Sequence, residues 1–103
     1  MKAAVLCEQP GDLVIEDLTI DKPGPQEVLI QTVGAGLCHS DLHFMEGLFR
    51  TRVPSVMGHE SAGIVQAVGA DVTYVEPGDP VVACLSIFCG QCRQCLSGNP
   101  HRC

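Results

Sequence analysis

Fifteen residues, Cys89–Cys103 (CGQCRQCLSGNPHRC), hold four cysteines, and they constrain this chain more than any other stretch. The spacing is C-x2-C-x2-C-x7-C. Two-residue gaps let neighbouring thiolates converge on one ion. The longer gap lets the chain loop back and close a tetrahedron. Four thiolates with no open position make a structural zinc pattern. Gly90, Gly98 and Pro100 supply turns, and Arg93 and Arg102 offset part of the negative charge of such a site. Bacterial ferredoxins use C-x2-C-x2-C-x3-C-P. The final gap of seven departs from that spacing, so zinc is favoured over an iron–sulfur cluster or disulfides.

The chain has 103 residues, room for one small domain with a modest core. Its seven cysteines follow no export signal, which points to metal or reactive thiols before disulfides. A net charge of -6 argues against nucleic acid and against an anionic membrane surface as partners. No apolar run approaches the roughly 18 residues of a transmembrane helix. The opening apolar run lasts only from Ala3 to Cys7 and reads as the first strand of a cytoplasmic protein.

Short strands separated by turns fill the first half. Lys2–Cys7, Leu13–Leu18 and Glu27–Gly36 are predicted strands, rich in apolar and β-branched residues. Gln9–Asp12 and Lys22–Pro25 are turns between them. His39–Glu46 carries Leu42 and Met45 at helical spacing and is predicted as a short helix. Arg50–Val56 reads as loop, Glu60–Val68 as a buried strand, Val72–Asp79 as a segment ending in a turn, and Pro80–Ser86 as a further strand. Five or six strands with little helix predict a mainly β fold, a barrel or sandwich. The cysteine-rich end is a lobe on it, since its polar, glycine-rich residues form no core.

A second constellation lies in GAGLCHSDLHFMEG and GHES, which hold Cys38, His39, Ser40, Asp41, His43, His59 and Glu60. A cysteine and a histidine from separate segments can share one metal, although a catalytic zinc usually has three protein ligands and a water. Asp41 can hydrogen-bond the other nitrogen of His59. Ser40 and His43, at i and i+3, can pass a proton outward. Each residue has a plainer reading: Cys38 as a small buried hydrophobe, His59 as a turn residue, Glu60 as a surface charge. His39 and His43 have the spacing of H-E-x-x-H, but Ser40 stands where the glutamate would be. Gly34-Ala35-Gly36 starts like a dinucleotide fingerprint, but His39 occupies its third glycine position.

Taken together, GLCHSDLH, PSVMGHESAGIVQAVG, VEPGDPVV and the cysteine run, in that order, resemble the N-terminal part of zinc-dependent medium-chain alcohol dehydrogenases. The resemblance implies an incomplete GroES-like β-barrel over residues 1–103 with a structural zinc lobe at about 84–103. It implies Cys38 and His59 as catalytic-zinc ligands and Glu60 as the carboxylate near that metal. It implies Ser40 as acceptor of the alcohol proton, His43 as the next relay member and Asp41 as partner of His59. His39 falls where a basic residue faces the pyrophosphate of NAD(P), and Cys89, Cys92, Cys95 and Cys103 match the structural site. Cys7 and Cys84 have no metal role in that pattern and are expected to be packing residues.

The implied activity is interconversion of alcohols with aldehydes or ketones by hydride transfer, in a homo-oligomer when full length. The family's third catalytic ligand and its Rossmann NAD(P)-binding domain fall beyond residue 103. The chain is therefore expected to be the N-terminal portion of such an enzyme, inactive alone. The alternative is a truncated zinc-binding structural module.

Overall fold

The computed structural model describes all of residues 1–103. Six strands form two antiparallel three-stranded sheets. In the first, β1 (Lys2–Leu6) lies between β2 (Leu13–Asp17) and β4 (Ser55–Val56). In the second, β5 (Ser61–Val68) lies between β3 (Val28–Ala35) and β6 (Pro80–Val82). In the chain the helix α1 (His39–Met45) lies between β3 and β4, and after β6 comes the lobe with α2 (Arg93–Leu96) and a 3-10 turn, Pro100–Arg102. No helix is long and apolar enough to cross a membrane. The mainly β expectation holds, as an unclosed barrel: the outer edges of β2, β3, β4 and β6 have no strand beside them.

Alternation in β1 turns Ala3 and Val5 inward, and Leu6 closes the strand fully buried. Val65 of β5 is their counterpart at 1% exposure. The buried apolar core is otherwise bare. β3 and β5 pair along most of their length, with register shifts at Leu29/Ile30 and Thr32/Gly34. Gly63 and Gly69 are buried where backbone passes backbone, so a side chain has no room there.

The structure departs from the sequence reading at three places. Ser55–Val56, read as loop, pairs with Leu6 and Val5, a distant partner that local pattern cannot reveal. The turn read at Glu76–Asp79 is present, the Asp79 N–H donating to the Glu76 carbonyl, and Gly78 and Asp79 exchange backbone hydrogen bonds with Val65. The strand predicted over Pro80–Ser86 ends at Val82, because β5 offers its last partner at Ser61, which accepts from Ala83. Cys7 and Cys84, expected to pack inside, are both exposed, Cys7 beside Glu16 and Cys84 on the stretch leading to the lobe.

Candidate metal centres

The ladder between β3 and β5 explains how Cys38 meets His59. Its last pair is Ala35 with Ser61, and the Gly36 N–H donates to the Glu60 carbonyl at 2.7 Å. Cys38 follows one strand by three residues and His59 precedes the other by two, so both leave the same end of the ladder. A Cβ on Gly36 would run into the Glu60 carboxylate, so the missing side chain keeps that space open. Gly58, with φ +102, makes the turn that delivers His59.

Cys38 is the extended residue that caps α1. Its N–H donates to Asp41 Oδ2 at 3.1 Å. Asp41 is the one buried polar residue with a charge. Its other oxygen, Oδ1, has no hydrogen-bond partner and lies 3.7 Å from His59 Nδ1. That arrangement suits an imidazole that turns Nδ1–H to a carboxylate and leaves Nε2 for a metal. Ser40 Oγ stands 3.5 Å from His59 Nε2. The donor atoms of Cys38, His59 and Glu60 all lie within 4.8 Å of one another. A sulfur, a nitrogen and a carboxylate oxygen are donors zinc accepts.

The electrostatics agree. The Ser40 hydroxyl and backbone, and then His59, hold the Cys38 thiol below its ordinary range. Cys38 in turn raises His59, against desolvation, with help from the Asp41 and Glu60 charges. A thiolate is thus favoured at Cys38, as metal ligation needs.

Of the remaining predicted residues, His39 is exposed and His43 half-buried on α1, their rings edge to face at 4.8 Å. The expected Ser40–His43 pair is not hydrogen-bonded; the Ser40 hydroxyl turns to His59, while the His43 ring lies between His39 and Phe49. The local sequence pattern missed Gln9, whose side-chain amide reaches across to the end of α1. Only its place in a turn marked it.

In the lobe, sulfur–sulfur distances are 3.5 Å for Cys92–Cys95, 3.7 Å for Cys89–Cys103, 3.9 Å for Cys92–Cys103 and 4.0 Å for Cys89–Cys95. A zinc–sulfur bond of about 2.3 Å gives a tetrahedron with edges of about 3.8 Å. A disulfide needs about 2.05 Å, and all seven cysteines are free. The four thiols therefore fit one tetrahedral ion. Gly90 and Gly98, at φ +74 and +79, make the turns, and the Cys92 N–H already donates to Cys89 Sγ at 3.3 Å. Backbone N–H groups of Gln91 and Cys92, with the Cys103 thiol, lower Cys89 to about 6. The Cys89 N–H acts to lower Cys103, but its shared hydrogen bonds with the Cys89, Cys92 and Cys95 thiols outweigh this and raise it to about 11.

Residues 24–103 match the family model of the alcohol dehydrogenase GroES-like domain. The chain belongs to that family. It is 47% identical over 102 residues to the NDMA-dependent alcohol dehydrogenase of Amycolatopsis methanolica, covering 99% of this chain and 28% of the relative. Among solved structures, benzyl alcohol dehydrogenase from Acinetobacter calcoaceticus superposes with a TM-score of 0.91 at 38% identity, over 99% of this chain and 28% of that one. CAD from Helicobacter pylori, solved with NADP(H), gives a TM-score of 0.82 at 31% identity, over 99% of this chain and 30% of that one. The chain thus spans little more than a quarter of the length of these relatives.

Proposed function

We propose that residues 1–103 are the N-terminal part of the catalytic domain of a zinc- and NAD(P)-dependent alcohol dehydrogenase, with residues 84–103 as its structural zinc lobe. The observation that carries this is the convergence of Cys38, His59 and Glu60 within 4.8 Å, beside Ser40 and Asp41, in a chain of this family. The relatives' names supply the substrate class, alcohols and the matching aldehydes or ketones.

In this reading Cys38 and His59 hold the catalytic zinc, with Glu60 at hand as a third donor, and Cys89, Cys92, Cys95 and Cys103 hold the structural one. When bound, the catalytic zinc supplies Lewis acidity toward an alcohol oxygen, and NAD(P) supplies the hydride acceptor. The Asp41 carboxylate, with Oδ1 3.7 Å from His59 Nδ1, favours the tautomer that carries its proton on that nitrogen. Ser40 Oγ, 3.5 Å from His59 Nε2, takes the alcohol proton as it gives up its own, and His43, which Ser40 does not touch in this structure, would receive that proton through a bridging group such as a water. Exposed His39 offers a ring N–H donor to the cofactor pyrophosphate. The enzyme works in the cytoplasm as a homo-oligomer and binds neither nucleic acid nor membrane.

Metal content per chain tests this, on protein purified without added metal. The expected result is zinc in both clusters, one equivalent lost in Cys92→Ser and the other in Cys38→Ser. In the natural polypeptide that carries these residues, Cys38→Ser should also abolish alcohol-dependent reduction of NAD(P). Iron with acid-labile sulfide would sink the zinc lobe. Full activity in Cys38→Ser would sink the catalytic assignment.

A further inference from the structure

The turn between β1 and β2 makes a contact that no metal or proton-transfer role accounts for. Gln9, half-buried, crosses to the far end of α1. Its Nε2 donates to the Phe44 carbonyl and to the Phe49 carbonyl, both at 2.6 Å. Its Oε1 accepts from the Thr51 N–H at 3.1 Å. The partners fix the amide's orientation, since carbonyls accept and an N–H donates. Two residues on, the Gly11 N–H donates to the Met45 carbonyl at 2.9 Å. The β1–β2 turn therefore clamps the last turn of α1 and the loop after it.

The clamp acts on one ring. Gly47, with φ +79, turns the chain back at the end of α1, and the His43 carbonyl accepts from both the Leu48 and Phe49 N–H groups. This returns the Phe49 ring to the helix, 5.0 Å from the His43 ring and nearly perpendicular to it. His39 packs edge-on against His43 at 4.8 Å on another side. Of the two neighbours that hold the His43 imidazole, His39 is fixed by the helix itself. Phe49 is exposed and follows a glycine turn, and the Gln9 amide is the side chain that pins its backbone.

We propose that Gln9 is a positioning residue for His43: by holding the Phe49 carbonyl it keeps the Phe49 ring against the imidazole and so sets the angle at which His43 stands. The role of His43 in proton transfer rests on the function proposed above, but the positioning does not need it. Gln9 touches no reacting atom. It acts from outside the helix through hydrogen bonds with about 40 residues of sequence separation.

The test is NMR of the histidine rings in the zinc-loaded 103-residue chain. Gln9→Met keeps the length of the side chain and removes all three hydrogen bonds. Phe49→Leu keeps those bonds, which use backbone, and removes the ring. The His43 ring protons are expected to shift in both variants, and the double variant should add nothing to Phe49→Leu alone. His59 resonances and zinc content should stay as in the parent chain. The proposal is overturned if Gln9→Met moves the Thr51 amide but leaves His43 in place, for Gln9 would then be a loop staple only. If Gln9→Met does not fold, Gln9→Glu decides, since it keeps the acceptor for Thr51 and removes the donor to the Phe49 carbonyl: an unmoved His43 ring in that variant overturns the proposal. Failure of the dehydrogenase reading shows separately, in metal content and in Cys38→Ser, and leaves these shifts as they are.

Discussion

Cys89 and Cys103 face each other across 3.7 Å with opposite acid strengths. Cys89 is lowered to about 6 and Cys103 raised to about 11, against an ordinary thiol value of 9.0. Near neutral pH the metal-free lobe therefore keeps a thiolate on Cys89 and a proton on Cys103, and a metal must expel that proton. The lowered Cys89 favours the folded lobe fully above the unfolded value of 9.0, and this support is lost as pH falls through about 6. Metal-free, reduced protein should accordingly show a step in ultraviolet thiolate absorbance with a midpoint near 6, missing in Cys89→Ser. If the two chains titrate alike below neutrality, the backbone N–H groups do not stabilise this thiolate. The four ligands themselves were plain in the sequence, because metal-ligand spacing is a local property. The unequal acidity was not, because it depends on which N–H groups the turns at Gly90 and the start of α2 aim at which sulfur. The same holds at the other centre. Cys38 and His59 could be picked out by type, whereas the turn of Ser40 toward His59 and away from His43 follows from the end of the β3–β5 ladder.

At the scale of elements, the strands with clear apolar pattern, β1, β2, β3 and β5, came out within a residue or two of their observed ends. Those that failed are defined by a partner. β4 exists only because β1 lies beside it, and β6 stops where β5 does. The helix is instructive, since its start and length were legible but its reason was not. Leu42 is 41% exposed and no apolar stripe anchors α1; its one buried residue is Asp41, and the Gln9 clamp holds its far end. Glycines show the same dependence on neighbours. A Cβ on Gly69 would collide with the backbone of Gly24 and Pro25, while one on Gly34 meets nothing within 4 Å. Gly69→Ala should thus cost about 1–3 kcal/mol through overpacking. Gly34→Ala should be neutral or stabilise by about 0.5 kcal/mol, since alanine loses less backbone entropy in a strand. Equal melting temperatures for the two variants in a thermal denaturation would show that the Gly24–Pro25 turn yields and that the close approach is not enforced.

The whole molecule carries more surface than its mass predicts. A folded chain of 10.9 kDa should expose about 5,600 Å², but this one exposes 7867 Å². Its radius of gyration is 15.4 Å, against about 13 Å for a compact domain of this length. Part of the exposed surface is apolar, on both sheets, α1 and the approach to the lobe. An open groove of about 750 Å³ runs between β3, β6 and the stretch leading to the lobe, with Val28, Ile30, Val72, Val82, Ile87 and Phe88 along it. Val82 lies both in this groove and on the unpaired edge strand β6, at 81% exposure. Apolar surface beside free backbone N–H and C=O groups is a template for a second strand. The net charge of -6 opposes association, but it is spread over a molecule 38 × 32 × 21 Å across, and physiological salt screens charges more than about 8 Å apart. The 103-residue chain on its own should therefore sediment faster as its concentration rises in physiological salt. Val82→Lys, which puts a charge on the edge and in the groove at once, should keep it monomeric with its zinc retained. A wild-type chain that stays monomeric over the same range would mean that the charge, not the edge, governs association, and raising the salt further would then bring out the association that the edge permits.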